Sequence, residues 1–320
     1  MKKTICNVLG VTLITLFLFT SYACSGSNKQ DNQNNEGEET IETLKKKAEE
    51  GDAEAQAQLS YCLAYGEGIE ENPQEAFYWA TESAKQNNAS GLNRLGECYA
   101  DGKGTEVDYT KAFQYFEKSA QQNFAHAKRN LGVMYRNGYG VEQNGSMAEK
   151  WLKEAAEQGD AEAACDLAFL YKKGDGIPIN MGEAVKWMEK AANLKYPFAV
   201  STLGIMYMNG DGVPVNNEKA WALLQEAAEL GDDSAQVSVG MVYLNGSEKF
   251  NVNANPKKAE HYFDMAAKSE NPNILFLIAK AYLDAPSTYE NKDKAITYLE
   301  KAADKGNSEA LGILREIGMR

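Results

Sequence analysis

The chain has 320 residues and a formal net charge of −13, from 33 Lys and Arg against 46 Asp and Glu. Such an acidic surface repels phosphate backbones and argues against a nucleic-acid partner. Two histidines and five cysteines leave little material for metal or redox chemistry.

Residues 1–23 have the form of a secretory signal peptide: Lys2-Lys3, the apolar run Val8 to Phe19, then Ser21-Tyr22-Ala23 ahead of Cys24. The run is shorter than the roughly 20 residues that span a bilayer. Small residues before a cysteine resemble the bacterial lipoprotein processing site, which implies acylation of Cys24 as the new N-terminus. Ser25 in the next position, rather than aspartate, implies outer-membrane placement, facing the periplasm or the cell surface. Loss of Lys2 and Lys3 takes the charge from −13 to −15. Residues 24–39 contain no large apolar side chain after the cysteine, so a disordered polar tether is expected. Its root-mean-square reach is roughly 20 Å.

From residue 40 a 36-residue period takes over. Gly66, Gly102, Gly138, Gly174, Gly210 and Gly246 follow it, as do Leu59, Leu95, Leu131, Leu167, Leu203 and Val239. So do Tyr99, Tyr135, Tyr171, Tyr207 and Tyr243, and Ala84, Ala120, Ala156, Ala192 and Ala228. Each copy carries an apolar stripe at helical spacing, a glycine stop, and a second helix with its own stop. Copies are expected at 53–88, 89–124, 125–160, 161–196, 197–232, 233–271 and 272–307, between half-repeat caps at 40–52 and 308–320. Such a chain is an all-α solenoid of about seven helix–loop–helix repeats, each burying its apolar face against its neighbours.

Asn72, Asp108, Asn144, Asn180, Asn216, Asn255 and Asn291 fall where the second helix needs an N-cap. Glu75 and Glu183 are placed to complete capping boxes. Gly96, Gly132, Gly204 and Gly240, with Ala168 and Ala279, leave room for the partner helix. The expected fillers are Trp79, Tyr115, Trp151, Trp187, Leu223, Tyr262 and Tyr298. The sixth copy has three extra residues in its loop, and the seventh has Ala285 and Pro286 in place of the glycine.

Leu131-Gly132, Tyr135, Gly138, Gly140, Ala148, Trp151, Ala155-Ala156 and Gly159 together resemble a Sel-one-like repeat, a relative of the tetratricopeptide repeats. The resemblance covers residues 40–320. It implies antiparallel helix pairs winding into a right-handed superhelix that holds other proteins together. Some relatives have a disulfide in every repeat. This chain has instead Cys62 and Cys98 at one equivalent position, read as small buried hydrophobes or, alternatively, as an inter-repeat disulfide. Cys165 stands alone. No paired CxxC, Ser-His-Asp order or phosphate-binding glycine loop appears, so no catalytic residue, metal site or cofactor is expected.

By analogy with tetratricopeptide repeats, the first helix of each copy lines a concave groove. The groove positions of the second and third copies are polar, among them Asn93, Glu97, Asp101, Arg129 and Arg136. From the fourth copy they become apolar: Phe169, Phe198, Ile205, Met208, Val237, Met241, Leu244, Phe276 and Leu283. Such a strip suits an extended or amphipathic partner segment, while Arg129, Arg136, Lys172 and Lys173 could clamp a carboxylate. The competing reading is that the superhelix buries these side chains between its own units. The expected function is that of a monomeric, non-enzymatic scaffold tied to the bacterial envelope, binding a protein or peptide. Alternatives are an envelope hydrolase acting on β-lactam or cell-wall compounds, and a glycan-binding module.

Overall fold

The computed structural model describes residues 40–285 and 289–319; the expected signal peptide, Cys24, the tether and Pro286 lie outside them. Among the described residues helix α1 (Ile41–Glu49) is a lone second helix. Seven pairs follow: α2 (Ala53–Tyr65) with α3 (Pro73–Lys85), α4 (Ala89–Asp101) with α5 (Tyr109–Gln121), and α6 (Ala125–Asn137) with α7 (Gly145–Glu157). Next come α8 (Ala161–Lys173) with α9 (Met181–Asn193), α10 (Pro197–Asn209) with α11 (Asn217–Glu229), α12 (Asp233–Asn245) with α13 (Pro256–Ala267), and α14 (Pro272–Asp284) with α15 (Tyr289–Asp304). A lone first helix, α16 (Ser308–Glu316), closes the stack. Each helix packs on its chain neighbours, which makes this an α-solenoid.

Local chemistry explains the boundaries. Gly66, Gly102, Gly138, Gly174 and Gly210 end the first helices in left-handed geometry, with φ between 71° and 80°. Asn72, Asp108, Asn144, Asn180, Asn216 and Asn255 then accept the backbone N–H three residues on. In the seventh copy the helix begins earlier, so Asn291 lies inside α15 and is not its cap.

The expected capping boxes do not form. The N-cap's own N–H is already taken, donating to the carbonyl of Leu63, Tyr99, Tyr135, Tyr171, Tyr207 or Tyr243 in successive copies. Glu75 and Glu183 turn instead to the indole N–H of Trp79 at 3.3 Å and Trp187 at 3.0 Å. The first helices are capped as regularly, by Asp52, Asn88, Asp160, Asp232, Asn271 and Asn307. Phe124 and Tyr196 stand at that position without a side-chain bond.

The close approach of the helices is as expected; at Gly204 the expected Leu223 meets it, with its Cβ 3.3 Å from an added Cβ, but in three other copies the filler sits one residue later. A Cβ on Gly96 would lie 2.6 Å from Phe116, one on Gly132 2.5 Å from Leu152, and one on Gly240 2.5 Å from Phe263. In these three copies the expected residues flank the contact instead, and several of the expected fillers stack on the repeat tyrosine. Tyr99 lies on Tyr115 with centroids 5.7 Å apart, Tyr243 on Tyr262 at 5.9 Å, and Tyr282 on Tyr298 at 6.2 Å. The extra residues of the sixth loop form a turn bridged at Ser247 and Val252, which lays Phe250 on Trp221 at 5.3 Å.

The core divides unevenly. From Ala148 to Leu314 it is one continuous apolar cluster, whereas the first copies hold three smaller ones. Buried polar side chains lie between those: Ser83 donates to the Ala53 carbonyl at 2.5 Å, and Ser119 to that of Ala89 at 2.6 Å. The caps differ from full copies at their outward positions. Lys47 stands exposed where the copies have Ser83, Ser119, Ala155, Ala191, Ala227, Ala266 and Ala302, all at 0% exposure. Arg315 stands exposed where they have serine, glycine or alanine.

Trp151 lacks what Trp79 and Trp187 have. Its buried indole N–H has no acceptor among the described residues, because Met147 replaces the glutamate. Met147→Glu should therefore stabilise the fold by about 1 kcal/mol, combining a charge-assisted hydrogen bond with a favourable first-turn charge. Urea unfolding of the two proteins checks it; an unchanged or lower midpoint would refute the assignment.

Candidate partner-binding groove

Along the first helices the structure separates the sequence-derived candidates into three groups. Met208, Val237 and Leu244 are buried, at 7%, 3% and 7% exposure, and are packing residues; for these three the self-packing reading is the right one. Phe169, Phe198, Ile205, Met241 and Phe276 are half-buried. Leu283 is exposed at 46%. Phe169 and Phe198 meet across adjacent copies with centroids 6.0 Å apart, and Tyr196 braces Phe198 edge-on at 6.3 Å. The apolar strip is thus shallower than the sequence suggests, and its open part is carried by five half-covered side chains and the exposed Leu283.

Arg129 and Arg136 are not available as a carboxylate clamp. Arg129 pairs with Glu162 of the next copy, and Arg136 with Asp166 at 3.2 Å. Lys172 likewise pairs with Asp211 at 3.0 Å. Asn130 donates to Asn93 at 3.0 Å, and Ser201 donates to Asp232 at 3.1 Å. His126 reaches Asp160 at 3.3 Å. These contacts run between successive copies and tie the first helices together. Sequence reasoning missed the partners, although the signal existed: opposite charges 30 to 33 residues apart are one repeat less one or two helical turns.

In the second copy Arg94 bonds Glu97 at 2.6 Å, and Asn93 donates to the same carboxylate at 2.8 Å. Burial alone would raise the Glu97 pKa. The Arg94 charge and the two hydrogen bonds outweigh it and hold the carboxyl below its ordinary value of 4.5. Asp101, one turn on, is raised by burial and by the neighbouring Glu97. Among the described residues no group of three or more His, Cys, Asp or Glu is placed to hold a metal ion. Cys62, Cys98 and Cys165 are thiols, so the alternative disulfide between Cys62 and Cys98 is absent.

A stack of antiparallel helix pairs with glycine-stopped first helices and an ion-paired, partly apolar face defines a helical repeat protein of the solenoid class. The Sel1 repeat model matches residues 53–88, 89–124, 125–160, 161–196, 199–232, 233–271 and 275–307, and the chain belongs to the Sel1 repeat family. A Sel1 repeat protein from Oxalobacter formigenes is 30% identical over 87% of this chain and 79% of its own, with a TM-score of 0.60. A protective antigen of uropathogenic Escherichia coli is 25% identical over 87% of this chain and 67% of its own, with a TM-score of 0.55. The immunity protein PA5088 of Pseudomonas aeruginosa shares the fold at 18% identity, over 68% of this chain and 80% of its own, with a TM-score of 0.52. No curated protein matches the sequence. Proteins of this family are generally protein-interaction scaffolds.

The lowered Glu97 pKa has a defined sign. A carboxylate held below its ordinary value stabilises the fold above that value, and the contribution is lost as pH falls through the folded-state pKa. Glu97→Gln should lower stability at pH 7 and flatten the loss of stability below about pH 4.5 relative to wild type. Urea midpoints across pH 3 to 7 test this; parallel curves for the two proteins would remove Glu97 as a source of acid sensitivity.

Proposed function

We propose that the chain is a non-enzymatic scaffold that holds a protein or peptide on its concave face and is tied to the bacterial envelope through acylated Cys24. The observation that carries the reading is the strip of half-covered apolar side chains, Phe169, Phe198, Ile205, Met241 and Phe276. A monomer of this acidity gains little by leaving them wet, and a partner segment would cover them. Methionine and isoleucine in the strip adapt to more than one side-chain shape. The paired Arg129, Arg136 and Lys172 mean that recognition there rests on apolar contact, not on carboxylate capture. That a relative is a protective antigen favours placement outside the cytoplasm.

Crosslinking in intact cells, followed by affinity capture of the tagged mature chain, tests the groove. The Phe198→Asp/Met241→Asp variant should lose discrete proteins that wild type captures, with helicity retained by circular dichroism. An identical set from both proteins, or none from wild type, would defeat the groove reading.

Membrane attachment is tested separately. Cys24→Ser should move the protein from the membrane to the soluble fraction and leave the leader uncleaved by lipoprotein processing. Unaltered fractionation and processing would show that Cys24 is not the anchor.

A further inference from the structure

Where the row of first helices begins, a cavity of about 280 Å³ opens between α1, α2 and α4. Its apolar lining comes from Ile41, Leu44, Ala57 and the half-buried thiol of Cys62. Gln58, Ser90 and the Arg94 guanidinium supply polar groups beside that lining. Arg94 is fixed in place: it lies 4.4 Å over the Tyr61 ring and donates to Glu97. The ion pair satisfies its charge but uses only part of a five-donor fork. What the rest of that fork needs is a neutral acceptor, and a peptide carbonyl is one.

Size and charge narrow the occupant. The volume falls just under the roughly 300–1,000 Å³ of sites for drug-sized ligands, which leaves room for one large side chain. Around Tyr61 and Tyr65 the three carboxylates of Glu67, Glu97 and Asp101 outnumber the two cations, Arg94 and Lys103, so the surroundings disfavour an acidic segment. The chain's own Ser25 to Glu39 is the wrong filling, because it has no large apolar residue and carries Asp31, Glu36, Glu38 and Glu39.

Resting on the scaffold reading above, we propose that this cavity takes one large apolar side chain of an extended, neutral or basic peptide segment. Arg94, Gln58 and Ser90 bond the peptide groups on either side of it. The partner would then be held at two places, by a single anchor beside α1 and by the apolar strip further along.

Cys62 is a built-in reporter. Cys98 and Cys165 are buried at 3% and 4% exposure, and burial with Glu97 alongside pushes the Cys98 thiol up to about 12, so iodoacetamide on the native leaderless chain carrying Cys24→Ser reads Cys62. The probe is the capped pentapeptide acetyl-Gly-Gly-Phe-Gly-Lys-amide. At about four times its Kd it should slow Cys62 alkylation roughly fivefold, since the free fraction falls as 1/(1 + [L]/Kd). The same peptide with alanine for phenylalanine should not slow it, and glutamate for lysine should weaken protection. No slowing at millimolar peptide, equal slowing by the alanine peptide, or a preference for the glutamate peptide would overturn the proposal. Cys62→Trp, which fills the cavity, should abolish binding of the fluorescein-labelled peptide at unchanged helicity; retained binding would also overturn it. Protection of Cys62 without partner capture would sink the scaffold and spare the cavity, and capture without protection would do the reverse.

Discussion

The contact between a glycine on each first helix and the bulky residue opposite it governs the geometry of the stack. Because Gly96, Gly132 and Gly240 have no Cβ, Phe116, Leu152 and Phe263 lie directly against the backbone. That short separation lets the repeat tyrosine stack on the second helix. It also lets the tyrosine carbonyl accept the N–H of the next N-cap, which closes the loop. With the pair locked, the opposite face of the first helix is left to meet its neighbours, and the groove residues are positioned by that alone.

Two kinds of adhesive then share the stack. The later copies use continuous apolar burial, where each fully covered Leu, Phe or Met contributes about 1.5–3 kcal/mol. The earlier ones use serine-to-carbonyl bonds and ion pairs, worth about 0.5–1.5 kcal/mol for a hydrogen bond and about 0–1 for an exposed pair. In a linear array stability is close to a sum of local units and their interfaces. The N-terminal copies are therefore the weaker stretch, and opening starts there more readily than in the region of Phe263 and Ile278. The same division places polar, ion-paired side chains on one part of the groove and the apolar strip on the other.

The fold was legible because a 36-residue period repeats every structural instruction several times. The glycine stops, the second-helix N-caps of the first six copies and the half-repeat caps appear as the sequence implies, and Asn291 alone of the expected N-caps does not. What failed depended on details a period does not carry. Trp79 and Phe116 lie one register position apart on equivalent helices, and only the crossing geometry decides which one meets the glycine. Glu75 satisfies the capping-box spacing, yet the backbone group it would bond is already engaged by Leu63. Groove positions suffered most. Met208, Val237 and Leu244 were placed by analogy with a related repeat, and burial at such positions depends on how tightly successive copies turn. Arg129 and Arg136 read as free cations because their partners lie in another copy.

Among the described residues the two ends of the solenoid are complementary halves: α16 stands without a second helix and α1 without a first. Laid end to end, two molecules would complete a repeat, and nothing in the period itself forbids a filament growing that way. Lys47 and Arg315 oppose it. The joint would press two like charges into positions that full copies fill with serine, alanine or glycine, at a desolvation cost of several kcal/mol per ion. Lys47 and Arg315 thus act against the addition of a second copy at either described end of the stack.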